Sequence, residues 1–189
     1  GREVEVVTRV EMGGNGEEET EETRTFLDEN GNEVVIITKV IIEDGEEERE
    51  EIIKFIDGSG NEVKIVTKTE IENGEFEFKH KIVVNGIESI SRLKIERDDE
   101  GVGEIKIILS DGNSQLINIL PDRASNLALE ILGTESIDLS LKEVEQADGQ
   151  LRAVYVAESV GVGKLLGLFD IKLELNAQIN SETAEVIYI

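Results

Sequence analysis

A single histidine and no cysteine leave this chain of 189 residues few groups able to move a proton or attack a carbonyl. His80 alternates with Phe78 and Ile82, so it shares a strand face with large apolar side chains. A zinc site there needs a second imidazole or a thiolate, and neither exists in the sequence. His80 therefore reads as a packed strand residue. Two turns, Asp28-Glu-Asn-Gly-Asn32 and Asp57-Gly-Ser-Gly-Asn61, imitate the opening of a calcium loop. The full loop wants Gly at its sixth position and a bidentate Glu at its twelfth. Those places hold Glu33 and Lys39 in one, Glu62 and Lys68 in the other, so both read as hairpin turns. Gly161-Val-Gly-Lys164 hints at a phosphate loop, but Glu158 stands where a further Gly is required and Leu165 where the metal-binding hydroxyl belongs. These glycines read as a loop at a strand entrance.

Carboxylates dominate what remains. Lys and Arg number 19 against 43 Asp and Glu, a net charge of −24. Such a surface repels phosphate backbones and anionic lipid, so nucleic acid is not an expected partner. No apolar run approaches the length of a membrane span. If successive hairpin turns alternate between the ends of a sheet, one end gathers Glu46, Glu47, Glu48, Asp98, Asp99 and Glu100. Solvated negative surface is the plain reading; weak Ca²⁺ binding without defined ligand geometry is the alternative. No firm metal site, no cofactor and no enzyme are expected.

The elements that must carry these residues are mostly strands. Up to about Leu120 the dominant period is two, as in Val63, Ile65, Thr67, Thr69 and Ile71 against Lys64, Val66, Lys68 and Glu70. Asn-Gly and Asp-Gly turns separate the runs and supply the positive φ that tight hairpins need. Phe26–Lys39 aligns with Phe55–Lys68, an internal repeat of about 30 residues, one hairpin per unit. The spacing predicts eight or nine consecutive antiparallel strands across residues 1–120, a long acidic meander. At Pro121 the texture changes. Ala124, Leu127, Ala128, Ile131 and Leu132 form a helical stripe, with Asp122 in the first turn and Gly133 beyond the end, predicting one helix over about 122–132. Strands are expected at 136–145, 151–159, 165–179 and 185–189.

The order helix, hairpin, long strand, closing strand over residues 121–189 resembles the PepSY module. The residues that carry the resemblance are Pro121–Gly133, Arg152-Ala-Val-Tyr155 and Leu175–Ile187, where Asn180-Ser-Glu-Thr-Ala-Glu-Val186 looks like the family's closing hairpin with Ala184 in place of its usual Gly. As a whole the chain looks like β-rich secreted archaeal proteins. The resemblance implies a non-enzymatic, extracytoplasmic module, in some members a binder of peptidases, and it transfers no catalytic residues.

The fold class expected is α+β, mainly β: a meander followed by a PepSY-like helix-plus-sheet module over 121–189, continuous with it. The function expected is a secreted or cell-surface structural protein, its signal peptide already removed, that associates with itself as the subunit of an extracellular filament. Its contacts are the terminal strands, through Val4, Val6, Val7 and Val10 at one end and Val186, Ile187 and Ile189 at the other. The alternative is a PepSY-type module that restrains a peptidase or docks a basic surface protein. Leu165, Leu166, Leu168 and Phe169 form the apolar patch suited to such a partner.

Overall fold

The computed structural model describes residues 2–12, 18–27, 31–43, 46–57, 59–72, 75–97, 105–165 and 169–188. Seven strands follow one another as an antiparallel meander: β1 (Arg2–Met12), β2 (Glu18–Leu27), β3 (Glu33–Glu43), β4 (Glu46–Ile56), β5 (Glu62–Glu72), β6 (Glu75–Val84) and β7 (Ile87–Ser91). The repeat falls on equivalent places. Val34 of β3 and Val63 of β5 are both fully buried, and Phe55 and Phe26 pack on the same core. Asn85 and Gly86, at φ 52° and 81°, join β6 to β7 in the primed turn that Asn-Gly favours.

The meander expected to run to about Leu120 ends at Ser91. Three short strands, β8 (Ile95–Arg97), β9 (Ile105–Ile108) and β10 (Ser114–Leu116), form a separate antiparallel sheet of three. After them comes the helix α1 (Pro121–Leu132), beginning one residue before the expected start and ending on Gly133 at φ 61°, whose N–H bonds to the Leu129 carbonyl at 3.0 Å. Its buried positions are Pro121, Ala124, Ser125 and Ala128, small groups that let the helix approach the sheet closely. The main sheet then resumes with β11 (Asp138–Glu145), β12 (Leu151–Leu165), β13 (Phe169–Asn180) and β14 (Val186–Tyr188), making eleven strands in the order β1 to β7, then β11 to β14.

One face of the large sheet carries the core. Ile65, Ile82 and Val84 from the meander meet Leu141, Tyr155 and Ile179 from the last strands, under Ile107, Ile117 and Ile119 of the small-sheet segment and Ala124 and Ala128 of α1. Each Val, Leu or Ile among them contributes about 1.5–3 kcal/mol when fully buried. The cover stops short of the other end of the meander. There the sheet is a single layer, held by cross-strand ladders such as Glu21, Lys39, Glu50 and Lys68 in consecutive register. Lys39 reaches Glu19 at 3.0 Å and Lys68 reaches Glu48 at 3.3 Å. Alternating signs let long side chains lie over the sheet and satisfy one another, each pair being worth a few tenths of a kcal/mol.

The long hairpin also differs from expectation. Gly161 to Lys164 is strand, not a loop, because β12 runs on to Leu165 in unbroken register with β13. A Cβ on Gly161 would lie 3.3 Å from Leu175 Cδ1, so the glycine leaves room for a cross-strand leucine.

Candidate functional site

β1 is the edge of the large sheet: it pairs with β2 and, among the described residues, with nothing else. Its alternation of Val and Glu makes it a strand, and from Glu5 to Met12 the register with β2 is regular; the one irregularity falls between Glu3 and Glu5. Val6, Val7 and Val10 are 45%, 51% and 56% exposed. Val6 and Val7 point to opposite faces, so the edge offers apolar surface on both sides together with a row of unpaired N–H and C=O groups. Val4 lies on the same strand. Arg9 pairs with Glu11 and is the one basic guard on this stretch.

The opposite edge is β14, where Val186 and Ile187 are half-buried and β14 meets β13 only at Gln178 and Ile179. Ile189 lies outside the described residues. Of the apolar partner patch, Leu165 closes β12 and Phe169 opens β13 as a register pair. Leu166 and Leu168 lie outside the described residues.

The register gathers acids at one end of the meander. Glu11 faces Glu19, Glu43 faces Glu46, Glu48 faces Glu70 and Glu72 faces Glu75. Glu46, Glu47 and Glu48 belong to this end, with Glu48 engaged by Lys68. Asp98, Asp99 and Glu100 lie outside the described residues. The alternation that grouped them with this end no longer applies, because β8 belongs to the second sheet. Among the described residues no cluster of three metal-ligating side chains occurs. In the Asp57 turn, Oδ1 accepts from the Ser59 and Asn61 amides at 2.8 Å each and Oδ2 from Asn61 Nδ2 at 3.0 Å. Partial burial works to raise this carboxyl, but those hydrogen bonds together with one from Gly60 outweigh it and lower its pKa.

His80 is buried at 2% exposure, its Nδ1 lying 3.0 Å from Thr67 Oγ1. Burial first, and the charge of Lys94 second, lower its pKa to about 4, which keeps the imidazole neutral. Tyr155 is fully buried and its hydroxyl has no hydrogen-bond partner among the described residues; burial, then the Asp122 charge, pushes its pKa up. Neither group is open to a substrate.

A feature absent from the sequence reading is the cleft where the meander meets the last strands. It lies between β7, α1 and β11 and measures about 690 Å³. No sequence signal marked it, because its walls come from strands that pair across some fifty residues of chain. No helix among the described residues is long and apolar enough to cross a membrane, which leaves membrane-crossing strands untouched. No protein-family model matches the chain, and neither does any curated protein or solved structure.

Proposed function

We propose that the protein is a secreted or cell-surface structural subunit that assembles into an extracellular filament, the β1 edge of one copy pairing with the β13–β14 edge of the next. The observation that carries this reading is the regular edge from Glu5 to Met12, with Val6, Val7 and Val10 exposed. Edges of monomeric sheets are usually blunted by Lys, Pro or a bulge, and here the irregularity sits at the extreme start of the strand. Pairing two different edges is head-to-tail and propagates, whereas pairing β1 with β1 closes as a dimer. Electron microscopy and sedimentation over a concentration series test the proposal. The wild type should form filaments, and Val7→Lys with Val10→Lys should stay monomeric. A species that stops at the dimer would overturn the filament.

A second reading is a PepSY-type binding module that restrains a peptidase or docks a basic surface protein. It is supported by Ala184, which adopts φ 63° at the place where the resemblance implies glycine. A stable monomer that inhibits a peptidase would favour it.

A further inference from the structure

β12 and β13 outrun the rest of the sheet. β11 stays beside β12 only as far as the pair Asp138 with Glu158, and β14 meets β13 only at Gln178 and Ile179. Seven further pairs, from Ser159 with Leu175 to Leu165 with Phe169, continue in unbroken register as a ribbon of two strands. Such a ribbon is marginal by itself in water, and a third strand beside it adds stability. Two contacts nearer the core give the direction of its backbone groups. The Ala153 N–H and C=O point toward the β13 side, where Gln115 and Ser181 meet them. The Val156 C=O points the other way and accepts from Ser140 Oγ of β11 at 3.4 Å. Odd-numbered residues of β12 therefore turn to β13, and even-numbered ones turn away. Beyond Glu158 the outward groups are those of Val160, Val162 and Lys164, and no described strand meets them.

A groove of about 810 Å³ opens where this edge begins, between Ser136–Asp138 and the root of the ribbon. Asp138, Glu158 and Glu174 line it, and no Lys or Arg does. Lys142 reaches Glu158 at 3.7 Å, whereas Asp138 and Glu174 make no ion pair among the described residues. Asn176 Oδ1, also in the lining, is a buried acceptor without a hydrogen-bond partner among the described residues. Val160 shares the open face with Glu158 and is 65% exposed. On the other face Gly161 brings no side chain, and Leu173 opposite it is 42% exposed. A strand laid along this edge meets carboxylates on one face and aliphatic carbon on the other.

We propose that the outer edge of β12, from Val160 to Lys164, takes up an extended segment of a basic protein partner as a third strand, on the side that β11 leaves open. The outward N–H and C=O groups select an extended main chain. The pleat sends its basic side chains beside Asp138, Glu158 and Glu174, their stems over Val160, and its apolar ones beside Leu173. β1 of a second copy is the wrong occupant, because Glu3, Glu5 and Glu11 would meet those carboxylates. This inference goes beyond the assembly reading, whose edges are those of β1 and β13–β14.

The test titrates a labelled octapeptide alternating valine and lysine into the full chain at about 150 mM salt, where surface attraction is screened beyond ~8 Å. A block peptide of four valines then four lysines carries the same charge without the alternation. The alternating peptide should bind about tenfold more tightly than the block peptide, and Asp138→Asn with Glu174→Gln should remove that advantage. On binding, hydrogen exchange should slow at the amides of Val160, Val162 and Lys164. Those of Gly161 and Gly163, already turned to β13, should change little. Val162→Pro deletes one outward N–H and should abolish binding, with Gly161 and Gly163 still protected as the sign of an intact hairpin. Val7→Lys should bind as the wild type does. Equal binding of the two peptides, or unaltered exchange at the three outward amides, would overturn the proposal. Tighter binding of a peptide copying residues 2–12 would assign the edge to a second copy and overturn it too.

Discussion

The side-chain amide of Gln115 stands in for a strand beside Ala153. Its Oε1 accepts from the Ala153 N–H at 2.8 Å, and its Nε2 donates to the Ala153 carbonyl at 3.2 Å. β13 pairs with β12 only from Val154 onward, and on that side the Ala153 N–H has lost its ladder acceptor, the Ser181 carbonyl being taken by Ile119. Gln115 fills the place from β10, and Ser181 adds its hydroxyl at 2.9 Å and its N–H at 3.2 Å to the same carbonyl. Ile119 N–H in turn bonds to the Ser181 carbonyl at 2.8 Å. One amide thus fastens the small sheet to the large one at a point where apolar packing alone would leave buried polar groups unmet.

Gln115→Leu keeps most of the volume and strands the Ala153 N–H. The expected cost is about 1–3 kcal/mol of unfolding free energy, read from the midpoint of a urea melt. Ser181→Ala leaves the Ala153 carbonyl two donors and should cost less. Equal losses from the two variants would contradict the pairing described.

Ala184 closes the turn from Asn180 to Glu185 at φ 63°, with its N–H on the Asn180 carbonyl at 3.0 Å. An L-residue in this region costs about 1–2 kcal/mol. Ala184→Gly relieves that strain but gives the unfolded chain about 0.4–1 kcal/mol of extra freedom. The relief is the larger, so the variant should gain roughly 0.5–1 kcal/mol. A loss of stability on denaturant unfolding would show that the turn is held otherwise.

The turn was legible in residue type, and so were the repeat, the seven meander strands, the helix and its glycine end. Period-two alternation says that one face is buried, not which sheet buries it. Ile95, Ile105 and Ile107 therefore looked like more meander, although they belong to the second layer. Gln115 stood unmarked between Ser114 and Leu116, since its role depends on where β13 stops. The cleft beside Ile90 lies where a parallel pairing, which local pattern does not encode, joins β7 to β11. The exposed β1 edge needed only the sequence of Val4–Met12 to be suspected, because both faces of an edge are written in consecutive residues.

His80 offers a clean titration, being the chain's one histidine. Its pKa is lowered from 6.5 to about 4 in the fold. Above the unfolded value both states are neutral and its contribution is complete. Between the two values the unfolded chain takes up a proton that the native state refuses, so stability falls with pH, and the loss levels off below about 4. That loss amounts to ~3 kcal/mol. The difference between wild type and His80→Gln isolates the imidazole. An imidazole NMR midpoint near the ordinary 6.5 would refute the burial described.

At the acidic end glutamates fall opposite one another in register across β1–β2, β3–β4, β4–β5 and β5–β6, in a chain of net charge −24. Directly opposed like charges destabilise a sheet, and salt screens them. Raising NaCl from about 10 to about 150 mM shortens the Debye length from ~30 to ~8 Å and should raise the melting temperature. Ca²⁺ at matched ionic strength should do no more than Na⁺, since Glu48 is already engaged by Lys68. A distinctly larger shift with millimolar Ca²⁺ would mean preferential binding to the native state instead.

Deleting residues 1–12 should abolish assembly without unfolding the protein. No side chain of β1 belongs to the described core, whose reach toward that edge ends at Val34 with Phe26 packed beside it. Removing β1 therefore costs a solvated ladder on β2 and little buried apolar surface. The strand that becomes the new edge is β2, which carries Glu18, Glu19, Glu21, Glu22 and Arg24. Such an edge is guarded by charge in the way natural monomers guard theirs, and a neighbour's strand would have to desolvate four carboxylates to pair with it. The truncated chain should melt within a few degrees of the full one and sediment as a monomer at every concentration. If it still forms the same polymer, the β1 edge is not the contact. If the full chain stays monomeric at high concentration and about 150 mM salt, where its own charge is screened, the filament reading fails and the binding module becomes the better account.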